Sequence, residues 1–525
     1  MEPAEETMAE QSVTASPPKL VNPIIQLHKE DNVVVARATL LQGTPVAEGV
    51  VALGRIPPGH KVAVRAIQEG EPVFKYNQII GFATRPIAPG EHVHVQNMGM
   101  GEFAKDYAYG EGVRPTEYFA EPATFQGIVR PDGRVATRNY IGILTSVNCS
   151  AHTAGLVADA FKRNPFTGYE PLAEFPNVDG VVALTHKTGC GMAAGEGLRL
   201  LRRTLAGYAR HPNFSHVVVL GLGCEVNQIS EMLREHRLTD RIRNMDIQTM
   251  GGVRKTVEAG LSFVREVLKE ANSVQRVTVP ASHLNVALEC GGSDGYSGVS
   301  ANPALGIASD LVVGNGGTVI LAETTETYGA EHLFTRRAVT RSVGEKLVEL
   351  MRWWEDYTQK HGEEINANPS PGNKAGGLTT IIEKSLGAMA KAGSTNLVEV
   401  LRYAEPVTQK GFVIMDTPGF DPVAVTGQVA GGANVLCFTT GRGSVFGCKP
   451  TPSIKIATNS ALFQRMEEDM DINCGTILDG HETVQEAGER IFRKILEVAS
   501  GAKSKSEQYD AGSAEFAPWP MGATV

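Results

Sequence analysis

No stretch of this 525-residue chain approaches the ~18 consecutive apolar residues that cross a bilayer, so a membrane span is not expected. Positive charge is not in excess either. The formal net charge is −9, which argues against nucleic acid or an anionic membrane as partner. The first residues, MEPAEETMAEQSVTASPP, are acidic and hold no apolar run, which is unlike a secretory leader, and a cytoplasmic protein is expected. Cysteine is scarce: seven residues, an odd number, with no CxxC pair. That excludes a disulfide framework and leaves core packing, metal ligation or nucleophilic chemistry. With 42% hydrophobic and 20% charged residues, the remainder is ordinary globular composition, long enough for two to four domains.

Residues 1–20 read as a disordered tail, and 503–525 as a second one. Between 21 and 100, short β-like runs such as NVVVARATL and GEHVHVQN alternate with turns, and no helical period interrupts them. This predicts a small all-β module. Residues 101–125 have no apolar periodicity and read as a linker. From Gly127 onward, apolar runs alternate with amphipathic segments such as GEGLRLLRRTLAGYAR. That is the pattern of a mainly parallel α/β fold, divided into domains at 126–275 and 276–502.

Four of those apolar runs end in cysteine: IGILTSVNC at Cys149, VVALTHKTGC at Cys190, VVVLGLGC at Cys224 and NVALEC at Cys290. Strands of a parallel sheet share one carboxyl edge, where ligands bind, so the four thiols are expected to face one crevice. A single buried cysteine is more often a small packing residue. Recurrence at strand ends favours a site instead. Cys437 falls mid-strand and reads as packing, whereas Cys448 and Cys474 lie in loops. Thiolates suit iron–sulfur clusters, zinc or ferrous iron, and the absent CxxC spacing argues against a closed four-cysteine zinc site. The same predicted edge carries ECGGSDGYSGVSANP with Asp294 and Asn302, Glu323 after LVVGNGGTVILA, His186 in THKTGC, Lys374 in NPSPGNKAGG, and Arg442 in TTGRG. Taken singly, such residues are usually solvated, and the glycine-rich loops can be plain turns. GLGCE lacks the third glycine of a dinucleotide fingerprint.

Taken together, GHKVA, GCG, GLGCE, ECGGSDGYSGVSANP, NPSPGNKAGG and TTGRG resemble the altronate and galactarate dehydratases, over about residues 22–500. The resemblance implies an N-terminal SAF (β-clip) domain, removal of water from a sugar acid to give a 2-keto-3-deoxy acid, and a requirement for iron or manganese. YGAEHL, LRYAE and KIATNS are nearer the altronate enzymes, with galactarate as the alternative substrate. Sulfolactate lyases share parts of the pattern, divided between two chains. On this chemistry, His60 in PPGHK is the leading base or metal ligand, with His186 and Glu323 as further catalytic candidates. Lys61, Lys374 and Arg442 would bind the substrate carboxylate, and Asp294 and Asn302 its hydroxyls. Cys149, Cys190, Cys224 and Cys290, or a subset, would hold iron as an iron–sulfur cluster. The other model is a single Fe2+ or Mn2+ on histidine and carboxylate, with the cysteines packing. A non-catalytic sugar-acid-binding protein and a thiol enzyme built on Cys190 are the competing classes. A homo-oligomer is the prior expectation for assembly.

Overall fold

The computed structural model describes residues 22–102, 105–238 and 242–524. The proposed tail at 1–20 lies outside them. Residues 22–101 form the β module. Its main antiparallel sheet runs in the order Ile24–Ile25, Val33–Ala36, Lys61–Ala63, His92–Val93. A second sheet joins Pro72–Lys75, Gln78–Ala83 and Met98–Gly99. Val34, Val62, Leu40 and Ile56 fill the space between these short strands. Residues 105–123 hold no helix or strand, but they are pinned to the C-terminal domain by Lys105 Nζ on Glu331 at 2.7 Å and by the Phe119 amide on the Gly314 carbonyl.

The two α/β units are parallel sheets, as the alternating pattern predicts. In the first, the strand order is Gly180–Leu184, Tyr140–Thr145, Phe214–Gly221, Arg243–Asp246, all parallel. Helix Glu196–Arg210 covers it with Leu198, Leu201, Leu205 and Tyr208, a 3–4 residue repeat that leaves the arginines outside. The second sheet has seven parallel strands, ordered Leu397–Leu401, Gly411–Met415, Thr318–Leu321, Asn285–Cys290, Val435–Thr440, Ser453–Ala457, Ile472–Asn473. Its inner strands are buried throughout, which is why they read as unbroken apolar runs. Thr124–Val129 and Val277–Pro280 pair antiparallel where the two units meet.

The expected tail at 503–525 is corrected by the structure. Ser504 caps a short helix, Lys505–Gln508, whose Glu507 takes a two-pronged contact from buried Arg138. Further on, Trp519 stacks on Trp354 with ring centroids 5.3 Å apart, and Phe516 is also buried. The segment is polar on average, yet its aromatic residues anchor it in the core.

Candidate active site at the carboxyl edge of the seven-stranded sheet

The central strand Asn285–Cys290 delivers Glu289 and Cys290 to its carboxyl end, followed by Gly291 and Gly292. A side chain at Gly291 would meet Asp421 Oδ2 at 2.4 Å, so only glycine lets that carboxylate approach. The neighbouring strand Thr318–Leu321 leads to Glu323, held at φ +61°, a left-handed backbone that a glutamate rarely adopts and that often marks a functional position. Glu326 follows on the next turn. The donor atoms of Cys290, Glu323 and Glu326 all lie within 4.8 Å of one another. Asp421 opens the helix Asp421–Ala430 beyond the adjacent strand.

Lysines from one helical stretch fill this group. Lys384, on helix Ile381–Met389, places Nζ 2.6 Å from Glu326 Oε1, and Lys391, two turns on, places Nζ 2.8 Å from Cys290 Sγ. Asn368 Nδ2 donates to Glu326 at 2.9 Å. The carboxyls of Glu289 and Glu323 are buried and hydrogen-bond to each other, without a cation or other donor on their oxygens among the described residues. A buried carboxyl pair of this kind shares a proton, because two ionised groups cannot stand side by side away from water. Burial and then Glu323 push the Glu289 carboxyl well up, and burial followed by Glu326 and Asp421 lifts Glu323 to about 8. Burial and the Glu326 charge raise Asp421 to about 6. Burial works against the Glu326 carboxylate as well, but Lys384 outweighs it and holds that group below its usual range. One site thus holds a protonated carboxyl, Glu323, beside an ionised one, Asp421, at neutral pH.

The β module adds a second group. His60, His92 and His94 bring ring nitrogens within 4.8 Å of one another. His60 Nδ1 lies 3.0 Å from His92 Nε2, and its Nε2 lies 3.2 Å from the Ala375 carbonyl. His94 Nδ1 is buried without a partner. Burial lowers all three imidazoles, His92 to about 4 and His94 to about 3, so they are neutral and free to ligate at pH 7. The module seats on the glycine-rich loops of the seven-stranded domain: a side chain at Gly295 would lie 1.9 Å from the Gly59 carbonyl oxygen, and Gly377 is equally hemmed in by the same atom. Segment 368–377, with its short helix Pro371–Ala375, touches both groups, through Asn368 on Glu326 and Ala375 on His60. Adjacent residues Glu383 and Lys384 likewise point one to the module and one to the acids.

Three family descriptions tile the chain: the altronate/galactarate dehydratase SAF domain over 22–101, the D-galactarate dehydratase/altronate hydrolase second domain over 127–272, and the D-galactarate/altronate dehydratase C-terminal domain over 281–524. The chain belongs to the altronate/galactarate dehydratase family. As a member of a dehydratase family it is a lyase. It is 39% identical to galactarate dehydratase (L-threo-forming) of Escherichia coli over 95% of this chain and 97% of that one. It is 34% identical to altronate dehydratase of Bacillus subtilis over 95% and 99%. The beta subunit of (2R)-sulfolactate sulfo-lyase from Chromohalobacter salexigens matches 73% of the chain at 31% identity.

Against these two groups, the residues expected from sequence divide. Glu323 and His60 lie in the two groups; Lys374, on the short helix Pro371–Ala375, and Arg442, on a bordering loop, have no side-chain partner among the described residues, Arg442 being exposed with its amide bonded to the Gly292 carbonyl. Lys61 is not a substrate clamp: it is fully buried and donates to Glu383 at 2.9 Å and to the Gly377 carbonyl at 2.7 Å. Asp294 is spent on Tyr296, Ser297, Thr458 and Asn459, and Asn302 on Gly387 and Thr439, so both fix loops and do not meet hydroxyls. His186 is buried with Nε2 on the Thr145 carbonyl and Nδ1 taken by Thr188, and burial lowers it to about 4; it orders a turn in the other sheet. The four strand-end cysteines do not share a crevice. Cys290 belongs to the acid group, whereas Cys149, Cys190 and Cys224 are exposed at the edge of the four-stranded sheet.

Sequence reading missed His92, His94, Lys384, Lys391 and Asp421. The first two had a signal: in GEHVHVQN the histidines sit two apart, on one face of a strand. Lys384 and Lys391 are seven apart, which puts them on one face of a helix. Asp421 had none.

Proposed function

We propose that the chain dehydrates a sugar acid, D-altronate to 2-dehydro-3-deoxy-D-gluconate, and that the observation carrying this reading is the buried carboxyl of Glu323, paired with Glu289, beside Asp421. Two acids whose surroundings push their pKa values apart suit one base and one acid. Asp421, ionised near pH 7, takes the proton α to the substrate carboxylate. Glu323, protonated, gives its proton to the departing β-hydroxyl, which leaves as water. The enol that remains tautomerises to the keto acid. Arg442 and Lys374 bind the carboxylate as charge-assisted donors, and Lys384 and Lys391 offset the negative charge that builds up as the proton leaves.

A divalent Fe2+ or Mn2+ fits His60, His92 and His94 better than it fits Cys290, Glu323 and Glu326. The imidazoles are neutral and include the orphaned His94 Nδ1, while ammonium groups already fill the acid group. Bound on the histidines, the ion would supply Lewis acidity toward a substrate oxygen.

Galactarate is the second reading, favoured by the 39% identity to the Escherichia coli galactarate enzyme. The test is keto-acid release from D-altronate and from galactarate under anaerobic conditions with Fe2+ or Mn2+, in the native enzyme and in Glu323→Gln. Turnover of either acid that Glu323→Gln lowers by about a hundredfold or more supports the reading, in line with what positioned acid–base catalysis contributes. Turnover of neither acid, or full activity in Glu323→Gln, would sink it.

A further inference from the structure

Cys149, Cys190 and Cys224 have no part in the acid site, yet their surroundings are built. They follow three adjacent strands of the four-stranded sheet, with Tyr140–Thr145 in the middle, so the three loops leave one edge side by side. Backbone bonds lash those loops together. The Asn148 amide donates to the Thr188 carbonyl at 2.9 Å, the Asn227 amide to Gly189 at 3.1 Å, and the Val226 amide to Cys190 itself at 3.3 Å. Buried Asn227 also donates through Nδ2 to the Ser146 carbonyl at 2.9 Å. Gly189 adopts φ +100° with Ser146 O only 2.3 Å from where a Cβ would sit, so the loop carrying Cys190 is pressed onto the loop carrying Cys149. Buried Glu225 accepts from Ser146 Oγ and from the Gly223 amide, both at 2.6 Å, which sets the turn at Cys224.

This rigid frame presents three thiols to solvent, where a packing cysteine would be buried. Gln248 Nε2 donates to Cys224 Sγ at 3.4 Å and so orients the thiol. The Cys149 and Cys190 thiols are close enough to hydrogen-bond and Cys224 stands near them, but the three do not form a group as compact as the other two, whose donor atoms all fall within 4.8 Å. A single tetrahedral ion with ~2.3 Å metal–sulfur bonds would instead draw its thiolates to about 3.8 Å apart.

We propose that Cys149, Cys190 and Cys224 are the protein ligands of an iron–sulfur cluster, held at the carboxyl edge of the four-stranded sheet as a centre separate from the acid site. Three thiolates leave one iron without a cysteine ligand and open to solvent or to a small anion.

The full chain is purified anaerobically, reconstituted with ferrous iron and sulfide, and assayed for iron, acid-labile sulfide and visible absorption. None of these readouts depends on turnover, so failure of the dehydratase reading leaves them intact. Acid-labile sulfide with the visible absorption is expected, both lost in Cys149→Ser, Cys190→Ser and Cys224→Ser while melting stays unchanged and iron falls to at most what the histidines hold, and both retained in His92→Ala. Because the thiols are exposed, the serine variants fold. The proposal is overturned by iron without sulfide, by zinc alone, by a Cys149–Cys190 disulfide formed without metal uptake, or by serine variants that keep the cluster.

Discussion

Replacing Glu383 by glutamine isolates what holds the β module over the acid site. Glu383 is fully buried and accepts from Lys61 at 2.9 Å, from Lys75 at 3.0 Å, and from the amide and hydroxyl of Thr379 at 3.0 and 2.6 Å. Burial opposes its charge, but the two lysines hold the carboxyl at about 2 instead of 4.5. At ~1.4 kcal/mol per unit, that is about 3 kcal/mol in favour of the folded state. Lys61 runs the other way. Burial drags it from 10.5 to about 8 despite Glu383, a cost of about the same size at neutral pH. Lys75 is raised, because Tyr76 and Glu383 outweigh its burial. The three shifts share the same lysine–glutamate contacts and do not add, so the value of the triad lies in what happens when one member is missing.

Glu383→Gln leaves two buried ammonium groups without a counter-charge, which costs about 3–5 kcal/mol. The loss falls on the contact between the module and helix Ile381–Met389. Hydrogen exchange should show strands Lys61–Ala63 and Pro72–Lys75 opening roughly a hundred to a thousand times more often, since each ~1.4 kcal/mol is a factor of ten, and trypsin should cut sooner within 101–125. The pH signs follow from the same shifts. In the native protein the Glu383 contribution is complete above pH ~4.5 and fades as pH falls through about 2. Lys61, depressed in the folded state, makes stability rise between about pH 8 and 10.5, and the variant should recover at alkaline pH as its lysines discharge. Unchanged exchange in those strands, or no alkaline recovery, would refute the reasoning.

Turnover should follow a bell in pH, rising through about 6 as Asp421 ionises and falling through about 8 as Glu323 loses its proton; a flat profile across that window removes both from the chemistry. In Asp421→Asn the acid limb should vanish along with most of kcat. His92→Ala and His94→Ala should each weaken Fe2+ or Mn2+ binding by about 10-fold or more in calorimetry, and equal affinity would place the ion elsewhere. Arg442→Ala should raise KM for the sugar acid with melting unchanged, because the side chain is exposed and has no partner among the described residues; an unaltered KM moves the carboxylate to another cation. Trp519→Ala should cost about 3–5 kcal/mol through lost packing on Trp354 and Tyr403, and a neutral effect would mean the segment after residue 503 is dispensable.

The architecture was legible because period and burial agree along the chain. The strands of the seven-stranded sheet are buried on both faces and read as apolar runs, and helix Glu196–Arg210 keeps a clean apolar stripe. The segment after residue 503 was illegible for the opposite reason. Its fold rests on isolated anchors, Glu507 on Arg138 and Trp519 on Trp354, each a long-range pairing with no local period to reveal it.

The site was half legible, and the dividing line is physical. A strand-end position can be read from one segment, which is why Glu323 and the cysteines stood out. Whether a polar residue serves chemistry or structure depends on which partners the fold brings to it, and those come from far along the chain. Lys61 and Lys374 look alike in sequence, but Lys61 meets a glutamate 322 residues away and is silenced, while Lys374 meets none among the described residues. The four cysteines follow the same rule. Strand ends converge only within one sheet, and the break between the units, where Val277–Pro280 turns back to pair with Thr124–Val129, assigns Cys290 to one edge and the other three to another. A recurring motif at strand ends therefore picks out sheet edges, and sheet membership decides into how many groups those residues fall.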